Sequence, residues 1–168
     1  KNTDSTVIEN FLGISLDDDY SPEEMITALE LIMPKLEELY NTRVRHYVVK
    51  KHTLLVCEQF EKYAFEFDNK CMNIDLMRLV LAVHDIGKAI DRSTQHEHTL
   101  SLVRELWGNA PFTEHEFNLV EVLLRDDHLG SYFQNKYDLS DLKEEIVAAA
   151  TELKMSPLTL LQYKMILY

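Results

Sequence analysis

The sequence predicts an all-α protein, a compact bundle of about seven helices, from three observations. Apolar residues recur at spacings of three and four through most of the 168-residue chain, the period of a helix with one buried face. Only four glycines and four prolines punctuate it, too few for many tight hairpins or long connections. No segment sustains the alternation of a half-buried strand.

The elements follow in order. Residues 1–20 are acidic and uneven, close on Asp17-Asp18-Asp19, and read as a short helical or irregular lead-in. Ser21-Pro22-Glu23-Glu24 opens the first helix with an N-cap, a first-turn proline and acids facing the helix dipole. It runs toward Tyr40 and is bent or divided at Pro34. A second helix spans about 47–67, with Val56, Phe60, Tyr63 and Phe67 as one buried stripe and His52 a turn earlier on the same side. The third, roughly 73–86, carries Leu79-Val80-Leu81-Ala82-Val83, apolar all round as befits a helix enclosed by neighbours. It ends at His84-Asp85-Ile86-Gly87, with Gly87 read as a C-terminal cap. The fourth starts near Thr94 and turns Leu100, Val103 and Trp107 inward; the fifth runs from Thr113 to Asp126 on Phe117, Val120 and Leu124. Leu139, Leu142, Ile146, Ala149 and Leu153 define a sixth over 139–154, with Asp138 and Asp141 as turn and N-cap residues. Ser156-Pro157 opens a seventh. There is no internal repeat or linker. One domain is expected, with 1–44 as a helical extension and 45–168 as the core.

Composition narrows the function. A hydrophobic share of 46% and a charged share of 27% describe a folded chain with a sizeable core. The formal charge of -12 works against non-specific attraction to nucleic acid or an anionic membrane. A phosphorylated substrate is still admissible if positive charge is concentrated locally by a metal or a few bases. Cys57 and Cys71 form no CxxC pair and are expected as two reduced, partly buried thiols. No apolar run approaches the roughly 20 residues that span a bilayer. The start, Lys1-Asn2-Thr3-Asp4, is neither an initiator methionine nor a signal peptide, so the chain reads as trimmed or cut from a longer protein. The expected location is cytoplasmic.

The most informative feature for chemistry is His84-Asp85 at the end of the enclosed helix. Burying an imidazole beside a carboxylate costs several kcal/mol unless the charge is compensated. A divalent cation compensates it, since neutral imidazole and carboxylate are both good ligands, and the helix C-terminus favours a cation. A third ligand from another helix completes a usable site, and His52 projects from a suitable face. A buried structural pair remains the alternative for the dipeptide alone.

His52-Thr53-Leu54-Leu55-Val56, followed by Leu81-Ala82-Val83-His84-Asp85-Ile86-Gly87-Lys88, resembles the HD superfamily of metal-dependent phosphohydrolases over roughly residues 45–168. That resemblance implies an HD-domain-like helical bundle holding one or more divalent metals (Mn, Mg, Ni, Zn or Fe) on an H…HD…D pattern. It implies His52, His84 and Asp85 as metal ligands, Asp85 also accepting a proton from the attacking water. Lys88 would contact the substrate phosphate or a metal-bound oxygen; otherwise it is a solvated lysine after the helix. The family's late Asp has no counterpart on the seventh helix, and is expected beyond Tyr168 or replaced by another group. Hydrolysis of a phosphate ester or anhydride follows, with nucleotides as the default substrate by analogy.

Further histidines extend the pattern. His96 is in phase with Leu100, Val103 and Trp107, whereas His98 is two residues out of register, so His96 is expected in the cleft. Asp127 and His128 continue the inward side of the fifth helix. His96, Asp127 and His128 are candidates either for a second metal or for polar residues lining the cleft. His115 is expected at the surface and His46 is uncommitted. Arg43, Arg45, Lys50 and Lys51 form a basic cluster, read either as a surface salt-bridge patch or as a phosphate-steering rim to which Arg45 and Lys51 contribute. Tyr132-Phe133 is read as core or lid packing, or as a base-stacking pair. Two readings compete with hydrolysis: a degenerate HD domain that binds a nucleotide or protein without turnover, and an HD-type di-iron oxygenase.

Overall fold

A computed structural model of the chain describes residues 20–63, 72–108 and 112–168. Asp17, Asp18, Asp19, Phe67 and Cys71, all named above, lie outside the described residues. The fold is an all-α bundle. Helices α1 (Pro22–Ile32) and α2 (Lys35–Asn41) are divided at Pro34, which takes the N-cap position of α2. A hairpin of β1 (Arg43–Val44) and β2 (Tyr47–Val48) follows, pairing Arg43 with Val48 and Val44 with Tyr47. Its strands are two residues each, too short for any alternation to register in the sequence. Next come α3 (Val49–Tyr63), α4 (Ile74–Val83), a single 3-10 turn at Ile86–Ala89 and α5 (Gln95–Trp107). The chain closes with α6 (Glu114–Leu124), the short α7 (His128–Phe133), α8 (Leu139–Leu153) and α9 (Pro157–Leu167).

The caps explain several boundaries. Thr113 and Glu116 form a reciprocal capping box at α6. Asp138 accepts from Ser140 N and Asp141 N at the start of α8, and Ser156 accepts from Thr159 N ahead of Pro157. Ser21 stands at the N-cap of α1, but its side chain makes no capping bond.

Helix α4 is the axis of the bundle. Every residue from Leu76 to Val83 is buried, so the all-round apolar run reflects enclosure. Arg78 is buried among them and bonds Glu61 on α3 with two nitrogens, Nε at 2.8 Å and Nη2 at 3.1 Å. That bidentate pair fixes α3 against α4, the two helices that carry the site. Tyr40, fully buried on α2, donates to the Ala82 carbonyl at 2.5 Å and satisfies an orphan carbonyl at the end of α4. With Met25, Ile26, Leu29 and Leu36 it places the segment expected as an extension inside the common core.

Four expectations need correction. The core face of α3 is Val49, Thr53, Cys57 and Phe60, which shares Phe60 with the predicted stripe and otherwise lies beside it. Val56 is half-buried and Tyr63 is 40% exposed; both face a cavity instead. Leu139, read as inward, is 43% exposed because it begins its helix at the surface. Helix α6 stops at Leu124, before the expected Asp126, and Asp127 caps α7 by accepting from Gly130 N at 3.0 Å.

The fourth concerns Gly87. It has no positive φ and is not a left-handed helix cap. Its role is steric: a Cβ there would lie 2.0 Å from the Gln95 carbonyl oxygen and 2.4 Å from Thr99 Oγ1. The Gly87 N–H instead donates to Thr99 Oγ1 at 3.0 Å, letting α5 press on the turn that follows Asp85. Gly87→Ala is therefore expected to destabilise by about 1–3 kcal/mol or more. That lowers Tm by roughly 2–4 °C per kcal/mol. Gly108, where the nearest atom of the described residues to an added Cβ is 3.7 Å away, is the control. Gly108→Ala should raise stability by about 0.4–1 kcal/mol through the unfolded state. Thermal unfolding of the two variants checks both, and a Gly87→Ala protein as stable as the wild type would contradict the close packing.

Candidate metal centre

The site assembles where α3 passes the end of α4. His52 projects from the first turn of α3, His84 is the C-cap of α4 and Asp85 is the next residue. One nitrogen of each histidine and one oxygen of Asp85 all lie within 4.8 Å of one another. Among the described residues this is the one group of three or more His, Cys, Asp or Glu whose donor atoms come so close.

Each side chain is held from behind. His84 Nδ1 lies 2.6 Å from the Leu81 carbonyl oxygen, which can only accept, so Nδ1 carries the proton. The other ring nitrogen, Nε2, then faces Asp85 Oδ1 at 3.6 Å. A backbone-oriented imidazole is how metal-ligating histidines are commonly fixed. His52 Nε2 stands 3.1 Å from Asp85 Oδ2, and the Tyr47 ring packs on the His52 imidazole with centroids 4.9 Å apart. Bonds of about 2.0–2.2 Å to a common ion place neighbouring ligand atoms roughly 2.8–3.6 Å apart, from octahedral to tetrahedral angles. The two observed separations, 3.1 Å to Oδ2 and 3.6 Å to Oδ1, lie within that range, so the spacing and chemistry of these three residues suit a divalent cation.

Asp85 is only 5% exposed. Burial alone would raise its pKa, but His84, Lys88 and His52 together more than reverse this and hold the carboxyl below its ordinary value. Lys88 spans both oxygens, 2.8 Å from Oδ1 and 3.0 Å from Oδ2. The ammonium and a cation would share this carboxylate. Burial leads the effects on His52 and holds its pKa below the ordinary 6.5, although Asp85 pulls it up.

The site opens into a cavity of about 670 Å³ between α3, α4, α5, α6 and α9. His96 lines it, with Nδ1 donating to the Leu124 carbonyl at 3.0 Å, and His98 does not. Asp126 and Asp127 line it as well. His128 does not: it follows the cap of α7, stacks on Tyr137 and bonds the Glu145 carboxylate at 2.9 Å. Neither Arg45 nor Lys51 lines the cavity. Arg45 stands exposed at the hairpin turn with φ 53, Lys51 is exposed on α3, and Lys50 pairs with Glu30 at 3.2 Å. Tyr132 and Phe133 do not line it either, but exposed Phe133 packs at a tilt against Tyr168, which does. Cys57 is buried, and that burial pushes its thiol up to about 12, away from any nucleophilic role.

Tyr47, Leu81 and Thr99 position the site yet carried no sequence signal of their own. A two-residue strand, a backbone carbonyl and a hydroxyl twelve residues from Gly87 act only through the fold. What fold and site define is an all-α protein with a His–His–Asp cluster at a cavity floor. No family model, curated protein or solved structure matches the chain. No described helix is long and apolar enough to cross a membrane.

The lowered His52 pKa sets a pH dependence. Between its folded and unfolded values the unfolded chain binds the extra proton, so stability falls as pH drops through the unfolded value of 6.5. Asp85, whose folded pKa is depressed, contributes stability that persists until pH falls toward that lower value, well below this window. In chelator-treated protein, the Tm of wild type minus that of His52→Gln is expected to fall from about pH 7.5 to about pH 5.5. Paired melts across that range check it, and a constant difference would contradict the burial effect.

Proposed function

We propose that this chain is a metal-dependent phosphohydrolase acting on a small phosphorylated molecule. The observation that carries the reading is the convergence of His52, His84 and Asp85 from two helices at the floor of a cavity, beside a lysine. His52, His84 and Asp85 would hold a divalent cation, and the resemblance to HD-type phosphohydrolases supports the same three residues. When bound, such a cation supplies Lewis acidity toward a phosphoryl oxygen and acidifies water.

The chain's own residues supply the rest. The low pKa of Asp85 keeps it anionic at neutral pH, able to accept a proton by hydrogen bond from attacking water. Lys88, on a flexible stem at the cavity, meets developing charge on the phosphoryl group with its ammonium. His96, fixed by Leu124, lines the same space and leaves Nε2 to accept from a substrate or water hydroxyl.

A second reading rests on the Lys88 clamp. An ammonium astride both Asp85 oxygens is a compensated buried ion pair, which suits a binding domain that holds a phosphorylated ligand without turnover.

Two substitutions separate these readings. Asp85→Asn should reduce metal-dependent turnover of aryl phosphate at least about 100-fold with helicity retained, because the amide neither holds the cation nor accepts the proton. Lys88→Ala should keep metal affinity and lose roughly 10–1000-fold in kcat. Steady-state rates with Mn, Mg, Ni or Zn, alongside circular dichroism, check both. A wild-type protein that binds phosphorylated ligands but turns none over with any metal favours the binding domain.

A further inference from the structure

Taking the phosphohydrolase reading as its premise, we infer that the substrate class is an amphiphilic phosphomonoester, a single phosphate joined to an apolar chain. Three observations on the cavity carry this.

The first is its mixed lining, in which a cluster of ligand-type side chains shares one cavity with large apolar ones. The floor presents His52, His84, Asp85, Lys88 and His96. Apolar side chains from three helices line the same cavity, Leu55, Val56 and Tyr63 on α3, Leu123 on α6, and Met165 and Ile166 on α9, with Gln59, Gln95, Asp126 and Asp127 also in its lining. Leu55 and Met165 are each 54% exposed, although both line a cavity continuous with the polar floor. Large apolar side chains left in water at the mouth of one cavity are what an apolar ligand chain would cover.

The second is charge. Among the described lining residues Lys88 is the sole lysine or arginine, while Asp85, Asp126 and Asp127 bring three carboxylates. With a cation on the His–His–Asp floor, that balance suits one phosphate and opposes a di- or triphosphate.

The third is the placement of the aromatic rings among the described lining residues: Phe60 is buried at 7% exposure, which leaves the two tyrosines as the surfaces open to a nucleobase. These tyrosines, Tyr63 and Tyr168, are 40% and 64% exposed, and Tyr168 already packs on Phe133 with centroids 4.8 Å apart. At about 670 Å³ the cavity has the size of a small-molecule site.

The reaction is a hydrolysis that balances without a co-reactant. Water adds to phosphorus, the ester P–O bond breaks, the proton goes to the departing alkoxide, and the products are an apolar alcohol and inorganic phosphate.

The test is a chain-length series of n-alkyl phosphates from ethyl to octyl, below micellar concentrations, with AMP, ATP and phenyl phosphate alongside. Turnover is read as kcat/KM with Mn, and binding of the matching non-hydrolysable n-alkylphosphonates is read by calorimetry. Each added methylene should improve both by roughly two- to fourfold, given the free energy of burying a methylene. Leu55→Ser and Met165→Ser should flatten that dependence, whereas Leu31→Ser, 68% exposed on α1 and outside the cavity, should not. Turnover of nucleotides or phenyl phosphate with no dependence on chain length would overturn the inference and leave the hydrolase reading standing. Chain-length-dependent phosphonate binding without turnover of any phosphate would overturn the hydrolase reading and keep the amphiphile site. Absence of both binding and turnover would overturn both.

Discussion

The arrangement depends on one constraint: the Asp85 carboxylate is buried at the C-terminal end of an enclosed helix. Both the missing water and the carbonyl dipoles of α4 oppose negative charge there. The neighbourhood has to supply positive charge or hydrogen at close range, and it does so from three directions. His52 arrives from α3, His84 from the end of α4, and Lys88 from the turn that follows. Gly87 permits this by letting Thr99 and Gln95 of α5 close on the turn where a side chain would hold them off. The Arg78–Glu61 pair holds α3 against α4 in the register that brings His52 opposite Asp85, and the Tyr40–Ala82 bond ties α2 to the end of α4.

Much of this was legible in the sequence for physical reasons. Helices with one apolar face or none exposed leave a periodic trace, so α4, α5, α6, α8 and α9 fall within a few residues of their expected spans. His84-Asp85 stood out because two polar residues at the end of an apolar run need compensation wherever they are placed. His96 was separable from His98 by helical phase alone.

The remainder was hidden where two surfaces compete for apolar residues. Helix α3 has a core face and a cavity face, both apolar, and the stripe through Val56 and Tyr63 belonged to the cavity. Periodicity reports that a face is apolar, not what it faces. The break after Leu124 was hidden by Asp126 and Asp127, read as the inward end of a helix, whereas Asp127 is an N-cap. That local hydrogen bond redirects His128 to Glu145 and Tyr137, and so out of the cavity. The basic cluster likewise looked like a phosphate rim only in one dimension, since the hairpin turns Arg45 away from it.

The central claim is that Asp85 and the two histidines form a cation site and not merely a lysine-compensated ion pair. Titration of chelator-stripped protein with Co(II), followed by its visible absorption and by calorimetry, tests it most directly. The expected result is saturable binding of an ion with nitrogen-ligand absorption bands, weakened at least about tenfold by His52→Ala or His84→Ala and unaffected by His128→Ala. Absence of saturable binding, or binding that survives loss of both His52 and His84, would contradict the account.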